Sequence, residues 1–476
     1  MLGRNAKGIP MSGTIVASDL DTVLAEVDAG LEAALARLFV TLRLKSISTD
    51  PAYAAETRAC AEWHAADLRE IGFEAAVRDT AGHPMVVGHH RTGDGPSVLF
   101  YGHYDVQPVD PLELWHSDPF EPAIVTRPDG SKMLVGRGTA DDKGQLMTFV
   151  EACRAWKKVT GALPLPVTIL LEGEEESGGA NLPPFLDANL DELRADIALI
   201  CDTGMWDRET PAITTSLRGL CGEEIVIRAA SRDLHSGFYG SAAANPNHVL
   251  ARILADLHDD AGRVTLAGFY DGVPELPATL RDSWARLDFD PAAFLGEIGL
   301  SVPAGETGRS VLEMTWSRPT AEVNGMGGGY QGAGFKTVIP AEAHAKVSFR
   351  LVFDQDPRKV RAAFRAHVRD RLPADCEVEF HEHGSGTAVA FDTSGPVFQT
   401  TQAALTAEWG KEAAFIGGGG SIPVTTLIKN KLGVEVVMVG FGLNDDAIHS
   451  PNEKYELESF RKGIRSWVRI LAALGS

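Results

Sequence analysis

Short apolar segments alternate with amphipathic helical segments along the first 200 residues, and this alternation restricts the fold more than any other feature. The segments Ser97–Tyr101, Val167–Leu171 and Ile197–Cys201 are short, apolar and rich in residues that favour strands. The segment Lys143–Lys158 repeats apolar residues at helical spacing, namely Leu146, Phe149, Val150, Cys153 and Trp156. Strands that alternate with helices predict an α/β domain with a largely parallel sheet and helices on both faces.

The middle of the chain follows a different pattern. Apolar and polar side chains alternate in Ala345–Phe353, so a strand there would have one dry face and one wet face. This pattern is typical of an antiparallel sheet, and neighbouring helical segments could cover its dry face. We therefore expect a smaller α+β domain at 216–389, inserted into a first domain that comprises 1–215 and 390–476.

The composition is that of a globular protein with an acidic surface. A chain of 476 residues exceeds the usual size of a single core. Its formal net charge of −21 disfavours nucleic acid and anionic membranes as partners. No apolar run approaches the ~20 residues of a membrane span. Met1–Ser18 lacks the apolar stretch of a signal peptide, and Met11 is a candidate start. Five widely spaced cysteines without a Cys-x-x-Cys pair favour reduced thiols and a cytoplasmic location.

Acidic and histidine residues follow the predicted strands at several places. Three consecutive glutamates, Glu174–Glu176, come directly behind Val167–Leu171, and a bound cation would relieve the repulsion among their carboxylates. In open α/β sheets, functional groups collect beyond the carboxyl ends of the strands, so distant positions can converge there. The candidates are His103, Asp105, Asp141, Glu175, Glu176, Asp202 and His449.

Two histidines and three carboxylates suit two divalent cations of the zinc type. Two ions about 3.5–4 Å apart need a carboxylate that bridges them, and a free glutamate beside them can deprotonate the bridging water. Each residue alone has a more ordinary explanation, since a single histidine is usually packed or exposed and a glutamate run is usually a solvated turn. Asp141 and Asp142 could also cap the following helix. The combination at successive strand ends favours a metal site.

Sequence motifs of a recognisable kind extend over nearly the whole chain. They are Gly102–Pro108, Gly136–Gly138 leading to Asp141, Glu172–Gly178, Asp202, Asp233–Gly237, Lys336–Pro340, Gly419–Val424 and His449–Glu453. Together they resemble the M20 metallopeptidase family and, within it, the carnosinase-like dipeptidase branch. The resemblance implies a hydrolase that cleaves the amide bond of dipeptides or short peptides through a dinuclear metal-activated water and a glutamate general base.

The resemblance also implies a role for each candidate ligand. Asp141 would bridge the two cations. His103 and Asp202 would complete one site. Glu176 and His449 would complete the other. Zinc is the expected metal, and manganese also suits these ligands.

The resemblance and the sequence pattern also give expectations for the neighbours of the ligands. By the resemblance, Glu175 would be the general base and then the general acid, and Asp105 would orient the ring of His103. The peptide bond that follows the bridging aspartate is expected to be cis. Glu174 is expected to be a solvated neighbour without a chemical role.

The inserted domain resembles the lid of the family, which also carries the contact between the subunits of a homodimer. His235 would reach the neighbouring subunit's site and polarise the scissile carbonyl. Arg350 would bind the free C-terminus of the substrate, since a guanidinium group can donate two parallel hydrogen bonds to a carboxylate. Thr337, Ser421 and the Gly417–Gly420 loop would add hydrogen bonds to the substrate.

Two alternative functions are weighed against the dipeptidase. An N-acyl amino acid amidohydrolase would use the same dinuclear centre on a different acyl group. A catalytically silent binding or scaffold protein on the same fold would be expected to lose the base or a ligand, and none is lost in this sequence. The sequence leaves open the physiological metal and the side chains preferred on either side of the bond.

Overall fold

The computed structural model describes residues 17–93, 95–420 and 422–476. The candidate start at Met11 and the candidate substrate contact Ser421 therefore lie outside the described residues. Among the described helices, none combines the length and the apolar composition that a membrane crossing requires. The five cysteines are all free and buried.

The chain divides into two compact units. The first comprises the residues up to Thr214 together with Asp392–Phe415 and Leu427–Ser476. The second comprises Thr215–Phe391 and Ile416–Thr426.

Strands and helices alternate along much of the chain. The strands are β1 Glu74–Arg78, β2 Met85–His90, β3 Val98–His103, β4 Ala123–Thr126, β5 Lys132–Val135, β6 Val167–Glu172, β7 Ile197–Ile200, β8 Ala212–Leu217, β9 Gly219–Arg228, β10 Leu234–His235, β11 Thr320–Gly328, β12 Val338–Ile339, β13 Glu342–Leu351, β14 Glu377–Gly386, β15 Val389–Ala390, β16 Ala414–Gly418, β17 Glu435–Gly440 and β18 Lys454–Glu456. The helices are α1 Ala17–Arg43, α2 Ala54–Ile71, α3 Lys143–Thr160, α4 Leu182–Ala188, α5 Leu190–Leu193, α6 Ser236–Tyr239, α7 Pro246–Ala255, α8 Ala278–Ala285, α9 Pro291–Gly296, α10 Val311–Trp316, α11 Pro357–Asp370, α12 Pro396–Trp409, α13 Pro423–Leu432 and α14 Leu457–Leu474. Single turns of 3-10 helix lie at Pro51–Tyr53, Leu112–Leu114 and Glu175–Ser177.

The first unit is built on a mixed sheet with the strand order β1-β2-β6-β3-β7-β17-β8. The four central strands β6, β3, β7 and β17 run parallel to one another. The flanking pairs β1–β2, β2–β6 and β17–β8 are antiparallel. The predicted α/β class is confirmed, and the parallel part of the sheet is its centre.

Aromatic packing joins the helices of the first unit to this sheet. The ring of Phe100 on β3 stacks on Phe149 of α3 with a centroid distance of 3.9 Å, and Trp467 of α14 meets both rings edge-on. All three side chains are fully buried. Because Phe149 and Trp467 come from the apolar faces of their helices, the helical periodicity of the sequence decides which face packs on the sheet.

The second unit contains an antiparallel sheet with the order β11-β13-β9-β14. Burial alternates along β13, and its buried residues pack with those of α7 and α11 in one core. The predicted antiparallel strand is therefore present. It ends at Leu351, two residues before its expected end, and Phe353 adopts a left-handed φ of 50°.

A buried histidine of the first unit should make stability fall in acid. Burial, with a smaller contribution from the charge of Lys143, lowers the pKa of His64 from 6.5 to about 3. The unfolded chain then binds one more proton than the folded protein between these values, so stability falls as the pH drops from about 6.5 toward 3. Each pH unit inside this window costs up to about 1.4 kcal/mol. Denaturant unfolding of the His64→Gln variant should show a weaker pH dependence across it.

A matched control is His116→Gln, because the side chain of His116 is exposed. This variant should keep the pH dependence of the wild type. If His64→Gln also kept it, the assigned protonation of His64 would be wrong.

Candidate metal centre

The central strands bring the candidate ligands to one edge of the sheet. His103 is the last residue of β3, and Asp202 comes two residues after the end of β7. Glu175 and Glu176 lie in the single turn that follows β6, and His449 lies in the loop after β17. Because these four strands are parallel, their carboxyl ends meet at the same edge.

Asp141 belongs to two groups of ligand-capable side chains at this edge. One group is His103, Asp141 and Asp202, and the other is Asp141, Glu176 and His449. Within each group, the ligand atoms lie within 4.8 Å of one another. The Oδ1 atom of Asp141 is 3.0 Å from Nε2 of His103, whereas its Oδ2 atom is 2.9 Å from Nε2 of His449. Each oxygen of one carboxylate therefore faces a different group, as a bridging ligand requires.

The electrostatics of the edge fit bound cations. Burial raises the pKa of Asp202 well above its ordinary value and also raises that of Glu175. Despite its burial, hydrogen bonds with His103 and His449 lower the pKa of Asp141. Hydrogen bonds to Asp141 and Glu176 raise the pKa of His449 to about 10. The buried carboxylates at this edge outnumber the imidazole groups, so additional positive charge would stabilise them. Divalent cations of the zinc type suit this set of donor atoms.

Asp105 connects the His103 ring to the glutamate turn. The Nδ1–H group of His103 donates to the backbone carbonyl of Asp105 at 3.1 Å, and the Asp105 carboxylate lies 3.4 Å from the same nitrogen. That carboxylate also accepts the backbone N–H groups of Glu175 and Glu176, at 3.3 and 3.0 Å. Asp105 thus orients both a predicted ligand ring and the turn that carries the predicted base. The second of these contacts was not anticipated from the sequence.

The three glutamates have three different environments. Glu176 is in one ligand group, and Gln107 donates to its Oε2 atom at 2.7 Å. Glu175 is in neither group. The expectation that Glu174 is solvated is wrong, because its carboxylate is buried and accepts hydrogen bonds from the backbone of His83 and the amide of Asn181, both at 2.8 Å. Glu174 joins two loops, a role that a run of like residues does not reveal.

Glu453 organises the loop that carries Asp141. Its Oε2 atom accepts from Nη1 of Arg137 at 2.8 Å and from the Gly138 N–H at 2.9 Å. Its Oε1 atom accepts from the N–H groups of Ala140 and Asp141, at 2.8 and 3.1 Å. Burial raises the pKa of Glu453 to about 7. Its position in the His449–Glu453 motif does not by itself indicate this role.

Asp142 supports the opposite side of the same loop. Its Oδ2 atom accepts the backbone N–H of His103 at 3.0 Å. The Asp141–Asp142 peptide bond is cis, which confirms the expectation from the family resemblance.

The remaining candidates belong to the second unit. The short pair β10–β12 brings His235 close to Thr337, and the Ser236 N–H donates to the Thr337 carbonyl at 3.1 Å. The Nδ1 atom of His235 accepts the Gly237 N–H at 3.0 Å, and its side chain is exposed. Arg350 lies on the half-buried face of β13, away from the core.

Comparison with known proteins identifies the class to which this fold and site belong. The profile of peptidase family M20/M25/M40 matches residues 99–473. The Cys-Gly metallodipeptidase dug1 of Schizosaccharomyces pombe is 28% identical and aligns over 96% of this chain and 98% of its own. The Beta-Ala-His dipeptidase of Rattus norvegicus is 27% identical over 77% of this chain and 75% of its own. The M20 family metallo-carboxypeptidase Sso-CP2 from Sulfolobus solfataricus superposes with a TM-score of 0.78 at 30% identity, over 93% of this chain and 99% of that one.

These comparisons identify a metal-dependent hydrolase. The chain belongs to peptidase family M20/M25/M40.

Replacing Glu453 by glutamine should weaken metal binding. The amide keeps only one acceptor atom, so one pair of N–H donors would face an NH₂ group and the Asp141 loop would shift. We expect metal affinity to fall about 10- to 100-fold, the range for groups that orient ligands. Calorimetric titration with zinc measures this directly.

The control is Glu458→Gln on helix α14, whose carboxylate forms an ion pair with Arg461 on the surface. It should bind zinc as the wild type does. Wild-type affinity in Glu453→Gln would refute the role of Glu453, and unfolding curves of both variants exclude a general loss of structure.

Proposed function

We propose that this protein is a dipeptidase that hydrolyses the amide bond of dipeptides or short peptides with the help of two divalent cations. One observation carries the proposal: the two oxygens of Asp141 face separate ligand groups, while Glu175 lies beside both groups and belongs to neither. Relatives over most of the chain are named dipeptidases, which supports the same substrate class.

The two ligand groups define which residues would hold the cations. His103, Asp141 and Asp202 would bind one cation. Asp141, Glu176 and His449 would bind the other. We propose zinc for both, with manganese as a metal that suits the same donors. The cations, when bound, supply positive charge that polarises the scissile carbonyl and eases the deprotonation of water.

Glu175 is the proposed general base. Burial raises the pKa of its carboxyl group, and this brings the pKa closer to the pH at which the enzyme works. The carboxylate takes a proton from the attacking water, whose oxygen forms the new bond to the carbonyl carbon. The protonated Glu175 then gives this proton to the amine nitrogen as the carbon–nitrogen bond breaks. The Asp105 carboxylate keeps the turn in place by accepting the Glu175 N–H.

The second unit would supply substrate contacts and the subunit interface. We propose that 216–389 forms a lid and dimerisation domain and that His235 acts in the neighbouring subunit's site, where it stabilises the negative charge on the carbonyl oxygen. Arg350 would bind the C-terminal carboxylate of the substrate. Thr337 and Ser421 would add hydrogen bonds. The pairing of β10 with β12 puts His235 opposite Val338, the residue after Thr337, and this proximity supports a common role for His235 and Thr337.

We further propose that the protein works as a homodimer in the cytoplasm. Five free, buried cysteines suit a reducing compartment.

Removing the Glu175 carboxylate should separate metal binding from hydrolysis. In Glu175→Gln, both ligand groups stay intact, so metal content should equal that of the wild type. Turnover of a dipeptide should fall by at least about 10²–10⁴-fold, the usual contribution of a general base. Elemental analysis and initial rates measure the two properties.

As a control, Glu209→Gln removes an exposed carboxylate that pairs with Lys411, and its turnover should be unchanged. Full activity in Glu175→Gln would exclude Glu175 as the base.

A substrate panel tests the proposed class. The zinc-loaded protein should hydrolyse dipeptides. N-acyl amino acids share the free C-terminal carboxylate but lack the free N-terminal amine of a dipeptide, and they should react far more slowly. Release of free amino acids measures both reactions. Turnover of N-acyl amino acids alone would identify an amidohydrolase and reject the dipeptidase.

A further inference from the structure

Gln107 donates a short hydrogen bond to one of the predicted ligands of the metal centre. Its Nε2 group lies 2.7 Å from Oε2 of Glu176, and it also donates to the Glu176 backbone carbonyl at 3.4 Å. The same Oε2 atom lies 3.2 Å from Nε2 of His449. The amide of Gln107 therefore contacts Glu176 on the oxygen that faces the ligand group of Asp141, Glu176 and His449.

The backbone on both sides of Gln107 is fixed. The preceding residue, Val106, is buried, and its N–H group donates to the Ser46 carbonyl at 2.9 Å. The carbonyl of the following residue, Pro108, accepts from Nη2 of Arg137 at 2.9 Å. Because both of its neighbours are held, Gln107 presents its amide from a defined position.

The neighbouring glutamate lacks a comparable contact. In the part of the chain that the structure describes, no group donates a hydrogen bond to the carboxylate of Glu175, whereas Gln107 donates to that of Glu176. The Asp105 carboxylate accepts the backbone N–H groups of both glutamates, so it positions their backbone without distinguishing their side chains. Gln107 is thus the hydrogen-bond donor that distinguishes the two carboxylates.

A neutral amide can orient a ligand without occupying its charge. The N–H group of an amide forms a charge-assisted hydrogen bond with a carboxylate but brings no net charge, so the carboxylate keeps its attraction for a cation. A lysine or arginine in this position would compete with the cation for the carboxylate. Because a carboxylate has about four lone-pair sites, Glu176 can accept the hydrogen bond of Gln107 and still bind a cation.

We propose that Gln107 is a positioning residue for Glu176. It holds the carboxylate in the ligand group that Glu176 shares with Asp141 and His449, so that one glutamate of the turn binds a cation and Glu175 stays available as the base. This inference rests on the proposed function, in which these two glutamates have those roles. It predicts that loss of the amide weakens the binding of the cation in this group and leaves the cation of the other group in place.

Retention of zinc tests the proposal without turnover. The zinc-loaded protein is dialysed against increasing concentrations of a chelator, and the zinc per chain is measured by elemental analysis. Gln107→Met keeps the length of the side chain but removes the donor. Compared with the wild type, this variant should lose one zinc ion at a free zinc concentration about 10- to 100-fold higher, the usual effect of removing a group that orients a ligand. It should release the other ion as the wild type does.

A double variant identifies the affected ion. His449→Asn removes a ligand of the same group, so this variant should retain one zinc ion, in the other group. Adding Gln107→Met to it should leave the release of that remaining ion unchanged, because both substitutions act on the same site.

Two further variants separate the hydrogen bond from folding. Gln107→Asn keeps the amide on a shorter side chain that no longer reaches Oε2 of Glu176. It should release zinc in the same direction as Gln107→Met, and it provides the test if that variant does not fold. The control is Gln399→Met, which removes an exposed glutamine whose Nε2 group donates to the Thr393 carbonyl at 2.8 Å. It should retain both zinc ions as the wild type does.

Two outcomes would overturn the proposal. If Gln107→Met weakens both zinc ions to the same extent, Gln107 supports the metal centre as a whole and does not act on Glu176 alone. If it weakens neither ion, its hydrogen bond has no role in positioning. Failure of the proposed function is recognised separately: the wild type with two zinc ions bound would then hydrolyse no dipeptide, whatever the effect of Gln107→Met on zinc release.

Discussion

The concentration of buried carboxylates at one edge of the central sheet is the constraint on which the first unit depends. Burial makes charged Asp202 and Glu175 costly, as the direction of their pKa shifts indicates. Such an arrangement persists only where positive charge and hydrogen-bond donors compensate it. Imidazoles and backbone N–H groups are compensating groups at this edge, and the surrounding loops present them; the proposed cations would add the remaining positive charge.

Two carboxylates outside the ligand groups hold these loops. Glu453 accepts four hydrogen bonds from the loop that ends at Asp141. Asp105 accepts two from the turn that carries Glu175 and Glu176. The carboxylates of Glu453 and Asp105 thus position the loop and the turn that carry the other acidic side chains. This is possible because each of the two carboxylates accepts hydrogen bonds from backbone N–H groups. Mutual repulsion is lower when every carboxylate has donors of its own.

Much of this architecture can be predicted from the sequence. The alternation of strands and helices predicted the α/β class, and residues at strand ends such as His103 and Asp202 were expected to converge because parallel strands share a carboxyl edge. The burial of Glu174 and the contacts of Glu453 do not follow from the sequence pattern. Their partners, His83 and Arg137, are 91 and 316 residues distant, so no local pattern could connect them.

The sequence by itself determined which segments become strands, which side chains are chemically able to bind a metal and which family the motifs resemble, since periodicity and residue type are local properties. Only the tertiary structure decided which position each of the neighbouring acidic side chains takes relative to the ligand groups. It placed the oxygens of Asp141 toward different histidines and set Glu175 outside both ligand groups. These outcomes depend on side-chain direction and on contacts between distant segments, which are fixed only when the sheet and its loops assemble.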